Sequence, residues 1–311
     1  MKTNNVKKHA FGFDLSALET YTDQTGGLLL AEAVTKGKTA ELCYVQSGVK
    51  GSQAINLLTS TLNVQDGSCG WNSSGSTTFT QRNITVCDKK VNEALCPRDL
   101  NNYWASAFLN AGSYNEQVPF EEAIAQLKVD QIAEYVENEL WRATTGTSCF
   151  DGFATLISTG TTGVIAVTGA TGITASNALA EVDKLVELIP NEVADRSDLI
   201  VWMSMANYRK YLINLRTANY FHFAPDAAEF PEYVTMHPGT NVRVAGTSGI
   251  NTDGVYLGPA EYMVVGVDLL SDEERLDIFY SRDNDEVRVR SNFKIGAQIA
   301  FPEYFVTNNL A

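Results

Sequence analysis

The run Val118–Ala143, VPFEEAIAQLKVDQIAEYVENELWRA, narrows what this chain can become more than any other. Apolar residues recur at Phe120, Ile124 and Leu127, then at Val129, Ile132, Val136 and Leu140. Spacings of three and four mark an amphipathic helix. Pro119 suits a first helical position, where a missing N–H costs nothing. Glu121 and Glu122 fall in the first turn and Arg142 in the last, each with the sign that the helix dipole favours there. No Gly or Pro interrupts the run after its first turn. At 1.5 Å per residue the helix would be roughly 36 Å long. It lacks sustained heptads, so the pattern predicts a strut, one face under a sheet and the other in solvent, rather than a coiled coil.

A chain of 311 residues supports a large core and at this size usually splits into more than one packing unit. With 44% hydrophobic and 19% charged residues it is no disordered chain. Its net charge of −14 disfavours wrapping around nucleic acid, which needs clustered Lys and Arg. Lys2, Lys7 and Lys8 are not followed by an apolar run, so no signal peptide is expected. No stretch approaches the ~18 apolar residues of a membrane span, so no membrane partner is expected.

The cysteines are Cys43, Cys69, Cys87, Cys96 and Cys149, an odd number with no C-x-x-C spacing. They read as buried or half-buried free thiols in a reducing cytosol. The three histidines, His9, His222 and His237, are far apart in sequence, so no Cys/His metal site is expected.

Residues 1 to about 45 open polar, alternate at Phe11, Phe13 and Leu15, and pass through Gly26-Gly27 before an apolar run. Such a segment cannot build its own core; it is either a disordered tail or an arm lying on something else. Two strand-like runs follow, Ser52–Val64 and Thr77–Cys87, rich in Thr, Ile, Leu and Val. Between them QDGSCGWNSSGS, residues 65–76, is dense in turn residues. The pair predicts a long β-hairpin with thin apolar content: Ile84 and Val86 on one face of the second strand, Phe79 and Cys87 on the other. A lone two-stranded hairpin is marginal in water. A chain that keeps one this long is expected to lay it on a neighbour. The tip residues Asp66, Gly67, Gly70, Trp71, Asn72, Ser74 and Gly75 are the candidate interface, because exposed aromatics such as Trp71 are enriched at interfaces. The bland alternative is a hairpin folded back onto its own domain.

Short helices are expected over DLNNYWASAFL, before the strut, and over Phe150–Thr159, after it. Ser176–Ile189 predicts a second amphipathic helix, capped by Ser176 or Asn177 and stopped by Pro190. Asp198–Met203 reads as a fully buried strand, and Ser204 can cap a helix through Leu215. Val234–Val244, Val255–Leu257, Tyr262–Val267 and Leu276–Tyr280 read as further strands. From Val287 the alternation is strict, with Val287, Val289, Phe293, Ile295, Ala297, Ile299 and Phe301 on odd positions and Arg288, Arg290, Asn292, Lys294 and Gln298 on even ones. That predicts a long strand, or two in line, with a core face and a polar, basic face.

Enzyme-like constellations are weak. Thr168-Gly169-Ala170-Thr171-Gly172 resembles the glycine-rich turn of nucleotide-binding short-chain dehydrogenases, where backbone N–H groups and a helix dipole hold a pyrophosphate. Ala175 stands where a third glycine belongs, and no Tyr-x-x-x-Lys pair or Lys-Ser/Thr phosphate loop occurs. The bland alternative is a Gly/Thr link. His222 and His237 sit in no nucleophile motif. Glu121-Glu122 and Asp272-Glu273-Glu274 read as a helix start and a solvated turn. No catalytic residue, cofactor or metal is expected.

The order of elements resembles the major capsid proteins of tailed bacteriophages, with the Hong Kong 97-type fold. VCDKKVNEALCPRDLNNYW followed by PFEEAIAQLKVDQIAEYVENELW looks like that family's junction of extended loop and spine helix. YMVVGVDLLSDEERLDIFYSRDNDEVRVRSNFKIGAQIAFPEYFV looks like its C-terminal return. The resemblance implies an α+β fold: an N-terminal arm over 1–45, an extended β-hairpin loop over 46–92, a peripheral domain over 93–175 and 268–300 with its spine helix at 119–143, and a mixed α/β axial domain over 176–267 and 301–311. It implies a structural protein whose copies form hexamers and pentamers and close into an icosahedral shell around double-stranded DNA, bound without sequence specificity. A portal protein and decoration proteins would be partners. The absence of a long N-terminal scaffolding extension points to a separate scaffolding protein. The resemblance places the chain in the virion, assembled in the bacterial host cytoplasm. An encapsulin-like compartment shell is an alternative of the same fold, and a nucleotide-dependent oxidoreductase built on Gly169 and Gly172 is one of a different kind.

Overall fold

Residues 37–67, 69–71, 74–96, 120–158, 160–218, 233–268, 276–284, 286–308 and 310 are described by the structure, a computed structural model. In chain order the elements are α1 (Lys38–Leu42), β1 (Tyr44–Gln46), β2 (Ser52–Thr61), β3 (Ser76–Thr85), β4 (Cys87–Leu95), α2 (Phe120–Arg142), α3 (Phe153–Leu156), β5 (Ile165–Ala166), α4 (Ala178–Val186), β6 (Leu199–Ser204), α5 (Met205–Thr217), β7 (Val234–Met236), β8 (Arg243–Thr247), β9 (Tyr256–Pro259), β10 (Met263–Val267), β11 (Leu276–Ser281), β12 (Glu286–Ile299) and β13 (Val306–Thr307). The expected helix over DLNNYWASAFL and most of the N-terminal arm lie outside the described residues. The chain divides into two units. One comprises Met1–Glu32, Lys90–Asp130 and Asp272–Asn292; the other comprises Ala33–Lys89, Gln131–Ser271 and Phe293–Ala311.

In the first unit β11 pairs antiparallel with the start of β12, from Leu276 opposite Ser291 to Ser281 opposite Glu286. Ile278, Val287 and Val289 are buried, as are Ala125 and Val129 on the first half of α2. Lys128 on that half forms an ion pair with Glu93 of β4.

The second unit is built on a six-stranded mixed sheet in the order β5-β13-β9-β6-β8-β7. Every residue of β6 is buried because both its faces are covered. Leu199, Val201 and Met203 join a core with Val182 and Leu185 of α4, Tyr208, Tyr211 and Leu215 of α5, and Val244 and Leu257 of the sheet. Trp202, facing the other way, packs with Trp141 of α2 at 5.6 Å between ring centroids, and Trp141 also meets Phe153 and Tyr256. Each such side chain contributes about 1.5–3 kcal/mol by leaving water. Ser204 caps α5 as the sequence suggests, accepting from Asn207 N at 3.3 Å. Asn177 precedes α4 without capping it; its side chain binds Thr174 and Gly172 of the preceding loop instead. The single strand expected over Val234–Val244 is two, β7 and β8, paired antiparallel. A turn through Gly239 at φ 74° divides them, a conformation that the apolar pattern cannot signal.

The later half of α2 is fastened to this unit by a buried carboxylate. Glu137 accepts from Thr39 N at 3.2 Å, from Thr39 Oγ1 at 2.6 Å and from Thr247 Oγ1. The same Thr39 hydroxyl accepts from Trp141 Nε1 at 2.6 Å. Arg142 donates to the carbonyls of Gly249 and Ser248. Gly249 has no room for a side chain: a Cβ there would lie 2.3 Å from the Trp141 ring.

A second sheet of this unit holds β1, β10 and the later part of β12 in that order, β1 parallel to β10 and Met263–Val267 antiparallel to Ile295–Ile299. The strict alternation read from Val287 onward is one 14-residue strand, and every odd position from Val287 to Ile299 is buried. Gly266 of β10 and Gly296 of β12 stand opposite each other. Together they leave bare backbone, and the root of the β2–β3 hairpin crosses it. A Cβ on Gly296 would lie 2.1 Å from the Thr85 carbonyl oxygen, and one on Gly266 2.8 Å from Ile84. Ile84 and Val86 there form a small core with Val49 and Val264, Ile55 beside it.

The cysteines are not all free. Cys87 and Cys149 form a disulfide across 62 residues, which corrects the reading as unpaired thiols. Sequence spacing carries no trace of it, because the fold alone brings β4 to the turn after α2. Cys43 is half-buried, and Cys69 and Cys96 are exposed and unpaired.

Two substitutions test these fastenings. Glu137→Ala strands three donors among buried groups and is expected to cost about 3 kcal/mol in urea unfolding, with Glu137→Gln costing less. Gly296→Ala forces the hairpin root off its seat and is expected to cost about 1–3 kcal/mol. It should also raise amide exchange over Ile84–Cys87, whereas an unchanged exchange pattern would show that the hairpin does not rest there.

Candidate functional site

Among the described residues, the hairpin is where exposed large apolar side chains gather. β2 and β3 run antiparallel from Ser52 opposite Thr85 to Thr61 opposite Ser76, about 33 Å at ~3.3 Å per residue. Because side chains alternate, the register sorts them cleanly. Gln53, Ile55 and Leu57 share a face with Ile84, Arg82 and Thr80, and Leu57 and Ile84 on that face are buried. On the other face Leu58 stands directly opposite Phe79. Leu58 is 58% exposed and Phe79 78%. Polar pairs flank them: Gln81 donates to Asn56 at 2.8 Å, and Ser60 and Thr77 share a hydrogen bond at 3.1 Å. Beyond the strands Leu62, Val64 and Trp71 are 82–93% exposed. Among the described residues, five of the eleven exposed large apolar side chains therefore lie in this one ribbon.

The tip is as open as the sequence suggests. Asp66, Gly67, Gly70, Trp71, Ser74 and Gly75 are all exposed; Asn72 lies outside the described residues. Gln65 donates to Ser74, drawing the two sides of the loop together. Gly70 has φ 115°, which only glycine adopts readily. The sequence reading placed the candidate surface at the tip and missed Leu58, Leu62, Val64 and Phe79. The signal was present in the alternation of AINLLTSTLNV, but which face is bare depends on the register at the root. Residues 52–85 carry only two charges, Asp66 and Arg82, in a chain of net −14. Burial lowers the Arg82 guanidinium from its ordinary value, and the Glu303 carboxylate offsets part of that.

The root is charged and tightly bonded. Lys89 Nζ donates to Glu139 at 2.6 Å and to Ser148 at 3.1 Å, and Ser148 donates to Glu139 at 2.8 Å. Burial alone would push Lys89 down and Glu139 up. Their mutual bond overrides it, so Lys89 sits above and Glu139 below its ordinary range.

The other candidate constellations do not assemble into a reactive site. In the Thr168–Gly172 turn the buried Glu181 carboxylate accepts from Thr171 N at 3.1 Å and Thr171 Oγ1 at 2.8 Å. Lys184 pairs with Glu181 and also reaches the Gly169 carbonyl. A carboxylate of the chain thus takes the N–H that a pyrophosphate would need. Burial opposes the charge on Glu181, but Lys184 and Thr171 prevail and hold it below the usual range. The preceding strand, β5, is a two-residue edge strand, not the central parallel strand of a dinucleotide fold. His237 is buried with both nitrogens engaged, Nδ1 by Tyr211 Oη and Nε2 by Asp183, each at 2.8 Å. His9, His222 and Asp272-Glu273-Glu274 lie outside the described residues, as do the side chains of Glu121 and Glu122. Among the described residues no three His, Cys, Asp or Glu side chains group to hold a metal, and no helix is long and apolar enough to cross a membrane.

No family profile and no curated protein matches the chain in sequence. Solved structures do match it. The procapsid of satellite phage P4, including its size determination protein, aligns at TM-score 0.57 with 10% identity, over 90% of this chain and 89% of that chain. The capsid of the empty GTA particle aligns at 0.55 with 13% identity, over 88% of each chain. The capsid of Myoviridae phage XM1 aligns at 0.50 with 14% identity, over 86% of this chain and 88% of that one. These matches span most of the length of each chain, and the fold of this chain is that of phage capsid proteins.

Proposed function

We propose that this chain is a major capsid protein of the Hong Kong 97 type, a structural subunit whose copies close into an icosahedral shell. The observation that carries the reading is the hairpin, seated firmly at its root and bare along one face. An apolar pair such as Leu58 and Phe79, flanked by hydrogen-bonded polar pairs, belongs against another surface. A two-stranded ribbon this long gains stability only from such cover. The phage-capsid fold supplies a natural second surface, another copy of the chain.

In this reading residues 46–92 form the extended loop and 119–143 the spine of a peripheral domain, which also takes 93–175 and 268–300. Residues 176–267 and 301–311 form the axial domain, and residues 1–45 an arm. Subunits gather as hexamers and pentamers around double-stranded DNA, which a chain of net charge −14 encloses without gripping. A portal protein, a separate scaffolding protein and decoration proteins complete the particle, assembled in the host cytoplasm and kept in the virion. The protein performs no catalysis. Nucleic acid inside purified particles distinguishes a virion from an encapsulin-like compartment, which would hold protein cargo.

Deleting Asp66–Gly75 is expected to leave a folded subunit that no longer forms closed shells in electron micrographs. Leu58→Ser with Phe79→Ser should likewise leave the unfolding midpoint nearly unchanged, since both side chains are already in water. It should reduce shell yield severely. Full yields from both variants would remove the hairpin from the assembly surface.

A further inference from the structure

The Cys87–Cys149 disulfide lies at the hairpin root, and its two sulfurs have unlike surroundings. Cys87 is 7% exposed; Cys149, in the turn after α2, is exposed. Two groups face the buried sulfur. Cys149 N donates to Cys87 Sγ at 3.0 Å, and Ser148 Oγ lies 3.5 Å from it; that hydroxyl gives its proton to Glu139 and accepts from Lys89 at 3.1 Å. The N–H favours negative charge on Cys87, while the Lys89–Glu139 pair beyond the hydroxyl is neutral as a whole. A leaving sulfur met by an N–H donor, bonded to one that solvent can reach, is an arrangement open to thiol–disulfide exchange.

We propose that this pair is a reversible redox lock on the hairpin root, opened when a small thiol attacks the exposed Cys149 sulfur. In the opening step the incoming thiolate bonds to Cys149 Sγ, the Cys87–Cys149 bond breaks, and its electron pair leaves on Cys87. A second small thiolate then attacks the mixed disulfide. It releases Cys149 as thiolate and carries off the two-electron oxidised product, a small-molecule disulfide. Closing is the same sequence reversed, with that small disulfide as oxidant.

The mechanical consequence follows from the neighbours of Cys87. Thr85 rests on Gly296, and Val86 N donates to the Gly51 carbonyl at 2.8 Å. Cys87 is thus the covalent end of a seat otherwise held by packing and hydrogen bonds. Its opening frees the root from the turn after α2 and leaves β6 and its core untouched. The lock goes beyond the shell reading and stands whether or not copies assemble.

The full chain equilibrated in glutathione buffers tests it. Of the five cysteines, three should react with a thiol reagent after denaturation from the oxidised buffer, and five from the reduced one. Amide exchange over residues 84–89 should quicken about tenfold on reduction while residues 199–204 stay as they were. Peptide mapping should find glutathione on Cys149 in Cys87→Ser, and far less on Cys87 in Cys149→Ser. Five reactive thiols at every buffer ratio would overturn the lock, as would exchange that ignores the redox state, or glutathione preferring Cys87. Shell formation is scored separately. Shells with a redox-blind hairpin sink the lock alone, and a redox-dependent hairpin without shells sinks only the assembly reading.

Discussion

Gly266 and Gly296 face each other on neighbouring strands, and the hairpin's second strand crosses the bare backbone they leave. Backbone can approach backbone this closely only where both Cβ atoms are missing. That contact sets the height of the root above the sheet and, through the strand register, which face of the ribbon meets it. Ile84 and Leu57 go inward, so Leu58 and Phe79 must go outward. The exposed pair is a geometric consequence of the seat, because a one-residue slip would exchange the two faces.

A different fastening governs the start of the described chain. Thr39 uses its hydroxyl twice, accepting from Trp141 and donating to Glu137, while its backbone N–H reaches the same carboxylate. Lys38 lies 4.9 Å from the centre of the Tyr233 ring, and Glu41 accepts from Tyr233 Oη. Burial and the Glu41 carboxylate push the Tyr233 phenol above its ordinary value, so it remains a donor. The short helix α1, the later half of α2 and the mixed sheet meet at one buried polar node within one unit. Polar networks of this kind specify a single arrangement when every member is satisfied.

Much of this fold is legible as period. The helix Phe120–Arg142, the alternation of β12, the buried run of β6 and its Ser204 cap all follow from spacing and residue type, because each is local. The hairpin is legible for the same reason, through its turn-rich centre. What spacing hides is whatever depends on contact between distant segments. Nothing in the local sequence around Glu137 says that Thr39 and Thr247 will meet it. Cys87 and Cys149 look like two members of an odd set. The bare face of the hairpin was half visible: the tip with Trp71 announced itself by composition, but Leu58 and Phe79 needed the register, and the register needed two glycines more than 180 residues away.

Charge decides what kind of surface can join copies of such a chain. At net −14, two copies repel wherever acidic faces approach within a Debye length, about 8 Å at physiological salt. The hairpin interrupts that field with 34 residues bearing one positive and one negative charge. Two polar pairs beside its exposed apolar pair, Asn56 with Gln81 and Ser60 with Thr77, already bond across the strands. Its Leu, Val, Phe and Trp side chains gain about 25 cal/mol for each Å² of apolar surface covered. The ribbon is thus the place where a strongly acidic protein can touch itself without desolvating charge. In the proposed assembly the rest of the acidic surface opposes unspecific clumping and leaves association to the hairpin.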